Sequence, residues 1–376
     1  MELEYLDVSL AAQSAIEKHF SLQTVDFDSQ RRSASRFEHE LKWVRIHSNG
    51  FSDARIFRLT NQYGDFAVRS WPADNATLSK VRFWHAFDKV PGTRTFPKLY
   101  AWSQGETESQ LCFPAGGLMW TLCDWVPGRS VLSTDVTLDF VRHLATMLAE
   151  LHKATWILSS SASGNLRRFE ALCSRTLQER TDFLQSIEPC WHSKLNQSDF
   201  LRKYQLADLL KTCLDQILDH KTQWLSSLVA SSQMARRCHW IVRDLWHENL
   251  ILNEEGQFSS IVDLGAARLD WPGLDFIRLV GSLIGLRFLT SVDVREQFQG
   301  WWKEAYQIYT VNHPEHSLGT LEECIRLNDI SVALSIAQWV LWATDGTVDV
   351  DDEVKSERCS NRIKQLCGAF FQNQSI

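Results

Sequence analysis

Residues 241–282 read IVRDLWHENLILNEEGQFSSIVDLGAARLDWPGLDFIRLVGS, and this stretch decides the fold. Asp244 follows Arg243, Asn249 comes five residues after that aspartate, and Asp263 stands later, before a leucine and a glycine. Two short apolar runs flank a polar turn that contains glycine, which predicts a short hairpin. We therefore expect two carboxylates and one amide on neighbouring loops of a small β-rich island.

These side chains suit the transfer of a phosphoryl group. Such a transfer needs positioning and charge neutralisation more than covalent chemistry by the protein. A carboxylate that faces the acceptor hydroxyl takes its proton, and Mg²⁺ prefers hard oxygen ligands from carboxylates and amides. The pattern predicts Asp244 as the catalytic base, and Asn249 and Asp263 as magnesium ligands.

The same pattern resembles the catalytic core of the protein kinase superfamily, where H-R-D-x-x-x-x-N precedes D-F-G. Asp275 before an apolar helix is similar to the aminoglycoside phosphotransferase and choline kinase family, as are the stretches GFSDARIFRL, AVRSW, LMWTLCDWVPG and AELHKA. The resemblance covers most of residues 41–282. It implies an α+β, bilobal protein kinase-like fold, ATP as phosphate donor, Mg²⁺ as cofactor and a small-molecule acceptor with a hydroxyl group, amines and sugars included.

The order of predicted elements agrees with a small β-rich half followed by a larger helical half. An N-terminal helix is predicted at 8–20, strands at 42–46, 55–59, 65–71, 98–102 and 118–126, and helices at 77–87, 137–152, 200–229 and 330–342. We expect an N-lobe over residues 1–120, with the antiparallel sheet and the phosphate loop. A C-lobe over 121–376 is expected to carry the catalytic loop at 241–265 and the helices that bind substrate.

The remaining nucleotide contacts are predicted from their order along the chain. Ser48, Gly50 and Ser52 are expected to contact phosphate oxygens through hydroxyl and backbone N–H groups, although a loop with one glycine also suits an ordinary hairpin turn. Arg69 stands where protein kinases have a lysine, and its planar guanidinium group can donate two hydrogen bonds to phosphate oxygens. The strand at 118–126 resembles the connector between lobes, so Cys123 and Asp124 are expected to contact adenine through backbone groups.

Two residues are expected to support the catalytic loop, and two positions depart from the kinase pattern. Arg243 and Asp275 are the supports, Asp275 through hydrogen bonds to the backbone. Val242 replaces the histidine of the motif. The glutamate that pairs with the kinase lysine is missing from residues 75–90, and the substitutes that remain open are Asp74, His85 and Asp88.

Three classes of function follow from these features. A small-molecule kinase is favoured because Asp244, Asn249 and Asp263 are all retained. The missing glutamate and the glycine-poor loop keep open a pseudokinase, a module that binds nucleotide with weak or no catalysis. A protein kinase is disfavoured, since Gly265 and Asp275 are too close for an activation segment.

Composition narrows the remaining choices. The net charge is −7 and the pI is near 6.0, which disfavours general binding to nucleic acid. The sequence shows no apolar run as long as a membrane span and no signal-peptide pattern, so we expect a cytoplasmic protein without a membrane partner. Nine cysteines at irregular spacing predict reduced thiols, mostly in the core.

The acceptor is expected to be a cationic or hydroxyl-rich small molecule. The helical half is rich in aromatic and acidic residues that would attract an ammonium group: Asp270, Trp271, Trp301, Trp302, Trp339, Trp342, Asp345, Asp349, Asp351, Asp352 and Glu353. The alternative interpretation is that the tryptophans fill the core and that VDVDDE is a solvated loop.

Overall fold

The computed structural model describes eleven ranges of the chain: residues 42–46, 54–61, 64–88, 95–100, 102–103, 109–161, 168–288, 295–313, 318–345, 347–348 and 353–374. The helix predicted at 8–20 and the phosphate-loop residues Ser48, Gly50 and Ser52 lie outside these ranges.

The described strands and helices, numbered in chain order, are as follows. The strands are β1 (Lys42–Ile46), β2 (Ile56–Asn61), β3 (Gly64–Pro72), β4 (Leu99–Tyr100), β5 (Trp102–Ser103), β6 (Ser109–Gln110), β7 (Phe113–Ala115), β8 (Leu118–Asp124), β9 (Arg129–Ser130), β10 (Phe169–Leu172), β11 (Arg236–Ile241), β12 (Leu250–Leu252), β13 (Phe258–Ile261) and β14 (Arg268–Asp270). The helices are α1 (Asn75–Asp88), α2 (Leu138–Ser161), α3 (Arg175–Ser186), α4 (Trp191–Leu195), α5 (Asp199–Lys203), α6 (Ala207–Gln233), α7 (Gly273–Phe288), α8 (Arg295–Asn312), α9 (Leu321–Thr344) and α10 (Glu353–Gln374).

The chain forms two compact units. The first contains the described residues up to Gly128 together with Gln257–Leu264, and the second contains Arg129–Gly256 and the described residues from Gly265 onward. The lobe boundary predicted at residue 120 falls inside β8, a strand of the first unit. Strands predominate in the first unit and helices in the second, as the sequence predicts.

An antiparallel sheet in the order β1-β2-β3-β8-β4 forms the first unit, and β7 also pairs with β8. Alternate residues point to one face, where Leu59, Val68, Trp120 and Leu122 are buried together. The strands predicted at 42–46, 55–59 and 65–71 are confirmed as β1, β2 and β3. β3 ends at Pro72, because proline cannot donate to the next rung of a ladder.

A tight hairpin joins β7 to β8. Its two central residues, Gly116 and Gly117, have φ angles of +58° and +73°. Glycine adopts this left-handed backbone without steric cost, which suits a two-residue turn between antiparallel strands. The turn sets the register in which Phe113 faces Trp120.

The helices of the second unit pack around α9. This helix contacts α10, α6 and α7, while α2 packs against α8 and α3 against α6. Thr320 caps its start, since its hydroxyl oxygen accepts the Glu323 N–H at 3.1 Å. By length and composition alone, α9 is the single described helix apolar enough to cross a membrane, but much of its apolar window is buried inside the unit. The buried helix predicted at 330–342 is confirmed within it.

The helix predicted at 200–229 is two helices, which corrects the sequence prediction. α5 ends at Lys203 and α6 begins at Ala207. Gln205, between them, has a left-handed φ of +54°, and the Leu206 N–H donates to the Leu201 carbonyl oxygen at 3.0 Å. This arrangement closes the end of α5 as a left-handed C-terminal turn does. Apolar periodicity continues across the break, so the pattern alone did not indicate it.

All nine cysteines are free thiols. Seven of them are buried, and Cys173 and Cys190 are exposed. The prediction of reduced cysteines, mostly in the core, is confirmed.

Candidate active site

A strained loop in the second unit carries Asp244. The residue before it, Arg243, has a φ of +68°, and the Asp244 N–H donates to the Val242 carbonyl oxygen at 2.9 Å. A non-glycine residue in this conformation costs free energy unless its surroundings hold it. The loop therefore requires an anchor.

The anchor is Asp275, in the first turn of α7. One of its carboxylate oxygens accepts the Val242 N–H at 2.8 Å, and the other accepts the Arg243 N–H at 2.5 Å. The side chain is fully buried, and burial raises the pKa of Asp275 to about 7, while the two backbone hydrogen bonds lower it. These are the backbone contacts expected of Asp275 from the sequence.

A buried histidine and tyrosine complete the anchor. The His152 Nε2 atom lies 3.2 Å from the Asp275 carboxylate, and its Nδ1 atom lies 2.7 Å from the Tyr309 hydroxyl. Burial lowers the pKa of His152 to about 3, so its ring is neutral at physiological pH. With the proton on Nε2, histidine donates to Asp275 and accepts from Tyr309, which satisfies both ring nitrogens. Sequence reasoning missed this pair, although a histidine on the same face of the helix as Leu144 and Leu148 was a visible signal.

Asp244 and Asn249 lie close together on the loop. The Asn249 amide nitrogen donates to the Asp244 carbonyl oxygen at 2.9 Å. The Asp244 carboxylate is 43% exposed and lies 3.4 Å from a guanidinium nitrogen of Arg278, on α7. Arg278 was not foreseen from the sequence, because no motif spacing links it to the loop.

Arg243, the other predicted support, directs its guanidinium group away from Asp244. It lies 3.5 Å from the Glu179 carboxylate, on α3, which also pairs with Arg268 at 2.8 Å. Hydrogen bonding from Arg268 is the largest cause that lowers the pKa of Glu179. Arg175 also pairs with this carboxylate, at 3.0 Å, so Glu179 binds three arginines.

In the first unit, Arg69 pairs with Asp263. The guanidinium nitrogen lies 2.7 Å from the carboxylate oxygen, and the guanidinium carbon lies 4.3 Å from the ring centroid of Trp71. Asp263 has a left-handed φ of +63°. Asp74, a candidate partner for Arg69, instead accepts the Thr77 N–H at 2.6 Å and caps α1. The carboxylate paired with Arg69 is thus Asp263, a partner that the sequence analysis had not considered.

Strand pairing engages part of the backbone of Cys123 and Asp124, the two residues expected to contact adenine. Cys123 pairs with Ala67 of β3 on one side and with Leu99 of β4 on the other, so its part of β8 is flanked by strands on both sides. The Asp124 N–H donates to the Lys98 carbonyl oxygen at 3.0 Å, and its carboxylate accepts the Tyr100 hydroxyl at 2.6 Å. The adenine contact of these two residues stays a prediction.

The side chains of Asn249 and Asp263 have the oxygen donors that a magnesium ion prefers. No group of three His, Cys, Asp or Glu side chains with metal-binding geometry exists within the described ranges. Asn249 uses its amide nitrogen for Asp244, which leaves its amide oxygen as a hard ligand. The Asp263 side chain is 37% exposed, so its carboxylate is accessible to an ion.

Comparisons with known proteins show which fold the chain shares. The chain has the fold of an amicoumacin kinase solved with AMP-PNP, Ca²⁺ and Ami, with a TM-score of 0.53 and 13% identity over 93% of this chain and 95% of that one. It also matches spectinomycin phosphotransferase in complex with ADP and spectinomycin, with a TM-score of 0.52 and 11% identity over 90% and 96% of the two chains. A comparison with curated sequences finds no significant match.

The sequence profile of the phosphotransferase enzyme family matches residues 43–310. This range includes the Asp244 loop, Asp263 and Asp275, and it spans well over half of the chain. The protein therefore has the kinase-like fold of the small-molecule phosphotransferases, and it belongs to the phosphotransferase enzyme family.

Proposed function

We propose that this phosphotransferase uses ATP and Mg²⁺ to phosphorylate a hydroxyl group of a small molecule. The observation that carries the proposal is the loop on which Asp244 and Asn249 lie close together, fixed by the two backbone hydrogen bonds to Asp275. A strained loop held by a buried carboxylate is typical of a site that must position a reacting group.

Asp244 is the proposed general base. As the acceptor oxygen forms its bond to the γ-phosphorus, the bond between that phosphorus and the bridging oxygen breaks, and the electron pair leaves with ADP. The hydroxyl proton passes to the Asp244 carboxylate. Arg278, at 3.4 Å from one carboxylate oxygen, holds the side chain in one orientation and leaves the other oxygen for the acceptor.

Asn249 and Asp263 are the proposed ligands of Mg²⁺. When bound, the ion neutralises charge on the phosphate oxygens. Arg69 is proposed to position Asp263 and to contact phosphate with the nitrogens that the ion pair does not use. Ser48, Gly50 and Ser52 remain proposed phosphate contacts. Arg243 and Asp275 support the loop.

Asp244→Asn tests the base, because the amide keeps the shape of the side chain but does not accept the proton. We expect the dissociation constant of Mg-ATP to stay within about twofold of wild type. ATP turnover should fall by about two to four orders of magnitude. Calorimetry gives the first quantity and a coupled ADP assay gives the second, with Asp139→Asn on α2 as an exposed control.

Two outcomes would contradict the assignment. Loss of nucleotide affinity as large as the loss of turnover would show that Asp244 is structural. Wild-type protein that binds Mg-ATP with no turnover, alone or with a broad acceptor panel, would favour a nucleotide-binding module without catalysis.

A further inference from the structure

A cavity of about 200 Å³ lies within the second unit, beside the catalytic loop. Trp246 and His247 line it from the loop, and Trp339 and Trp342 line it from α9. These two α9 tryptophans belong to the aromatic set that the sequence analysis associated with the acceptor. The cavity is near Asp244, since Arg278 both lines it and pairs with that carboxylate at 3.4 Å.

Three arginines line this cavity, from three different helices. They are Arg180 of α3, Arg278 of α7 and Arg362 of α10. The Arg362 guanidinium carbon lies 3.6 Å from the Trp246 ring centroid, and one of its nitrogens lies 3.6 Å from the Glu248 carboxylate. No aspartate or glutamate occurs among the described residues of the lining.

Arg180 has an unsatisfied donor. Its Nη1 atom is buried and has no hydrogen-bond partner among the described residues. Burial, together with the neighbouring Arg278, Arg243 and Arg268, lowers the pKa of Arg180 to about 10. The group is therefore still charged at neutral pH. A buried charge with an unpaired donor is costly unless an anion meets it.

The nearest acid does not provide that anion. Asp270 raises the pKa of Arg180, but one carboxylate oxygen of Asp270 accepts both the N–H and the hydroxyl of Thr176, and the other accepts the Trp271 N–H. Asp345 also lies apart from the lining, where its carboxylate accepts the Thr347 hydroxyl at 2.6 Å. The carboxylates expected to attract a cation are thus used elsewhere, lie apart from the lining at the exposed start of α10 (Glu353), or lie outside the described residues.

We propose that this cavity binds the acceptor, and that the acceptor is a small hydroxylated anion. Its carboxylate or phosphate group pairs with Arg180 and Arg362, and its hydroxyl group faces Asp244 past Arg278. Trp339 and Trp342 cover its apolar carbon atoms. The assignment replaces the cationic acceptor expected from the sequence, and it rests on the proposed kinase function for the role of the hydroxyl.

Ligands that are matched in size but differ in charge test whether the cavity prefers an anion. We would compare glycerate with glycerol and serinol, and gluconate with sorbitol and glucosamine, by thermal shift in saturating Mg-ADP and by ADP release with Mg-ATP. Inorganic phosphate and acetate serve as the simplest anions, with chloride at equal ionic strength as the reference. We expect the anions to raise the melting temperature and the hydroxylated anions also to raise turnover. A larger effect from the amines, equal effects from all three charge types, or no effect from any would overturn the proposal.

Variants of Arg180 locate the effect in the cavity. Arg180→Gln should weaken anion binding at least tenfold, Arg180→Lys should weaken it less, and Arg202→Gln, exposed on α5, should leave it unchanged. Anion binding that survives in Arg180→Gln would overturn the assignment. Calorimetry with Mg-ATP alone separates the two claims: a wild-type protein that binds anions in this cavity but no nucleotide would refute the proposed function and not the anion site.

Discussion

Arg69 keeps its charge at a position that is only 9% exposed, with the Asp263 carboxylate on one side and the Trp71 ring on the other. An arginine held this way offers a planar fork, so one nitrogen can bond the carboxylate while another contacts a phosphate oxygen. Lysine would keep the positive charge but would lack the planar guanidinium group. Arg69→Ala removes both the charge and the planar group, whereas Arg69→Lys removes only the planar group, so the two variants separate charge from geometry.

We predict that Arg69→Ala raises the dissociation constant of Mg-ATP about tenfold or more, and that Arg69→Lys raises it less. The measurement is calorimetry on protein shown to be folded by its thermal transition. Arg58→Ala is the matched control, because Arg58 forms an ion pair with Asp65 at 2.5 Å in the same sheet. Small and equal effects of both Arg69 variants would place this residue outside the phosphate site.

At the level of single residues, the motif predicted which side chains lie on the loop, but it did not predict all the residues that anchor the loop. Asp244, Asn249 and Asp275 were visible because their spacing is local and fixed by loop geometry. Arg278 and Tyr309 were not predicted, since residues that come together only in the tertiary structure form no motif with a fixed spacing in the sequence. The pairing of β8 with strands on both sides was not predicted, because a strand pattern does not show which strands are its neighbours.

Among elements, the start of α7 has no room for a side chain at Gly273. A Cβ atom at Gly273 would lie 2.1 Å from an atom of the Trp271 ring, which is fully buried against the Arg236 guanidinium group at 3.8 Å. A rigid ring in a packed core does not move aside cheaply. Glycine is required there by close approach rather than by backbone conformation.

We therefore predict that Gly273→Ala lowers the free energy of unfolding by about 1–3 kcal/mol. Gly300→Ala, at an exposed position of α8, has nothing within 4 Å of the added methyl group and should raise stability by about 0.5–1 kcal/mol. Urea unfolding followed by circular dichroism measures both. A Gly273→Ala protein as stable as wild type would mean that the ring moves freely.

Element positions were more predictable than element ends. β1 and the buried centre of α9 agree with the sequence pattern because alternation and apolar faces reflect burial directly. The break between α5 and α6 was missed, because it depends on the backbone conformation of one residue, Gln205. The apolar periodicity continues across this residue and therefore does not indicate the break.

For the molecule as a whole, buried histidines make stability depend on pH. Burial lowers the pKa of His152 and of His247 to about 3, and it lowers that of His239 well below the usual value. In the unfolded chain these groups titrate near 6.5, so between pH 6.5 and pH 4 the unfolded state binds more protons. Stability therefore falls on acidification. Asp275 acts in the opposite sense, since its pKa is raised to about 7 and the folded state protonates first.

Burial also raises the pKa of Glu248, so three histidines act against two carboxylates, and we predict a net loss of stability from pH 7 to pH 5. His247→Gln should make that loss smaller, because it removes one group that only the unfolded state protonates. Chemical denaturation at several pH values measures the slope, with exposed His143→Gln as the control. An unchanged slope in His247→Gln would contradict the assignment of this histidine as a buried neutral ring.

Composition predicted the reduced thiols and the division into strand-rich and helical parts, because both follow from sums over many residues. The charge of the cavity was not predictable in this way. Its arginines come from α3, α7 and α10, and only the packing of these helices brings them to one wall.

Trp246 lies between two of these arginines, with guanidinium carbons at 3.6 Å and 5.4 Å from its ring centroid. Indole fluorescence responds to a nearby cation, and the emission of this ring will change when a ligand draws either guanidinium group away. Subtracting the spectrum of a Trp246→Phe protein isolates that signal from the other tryptophans. The catalytic loop thus carries its own optical probe, with which acceptor binding can be followed in real time without a label.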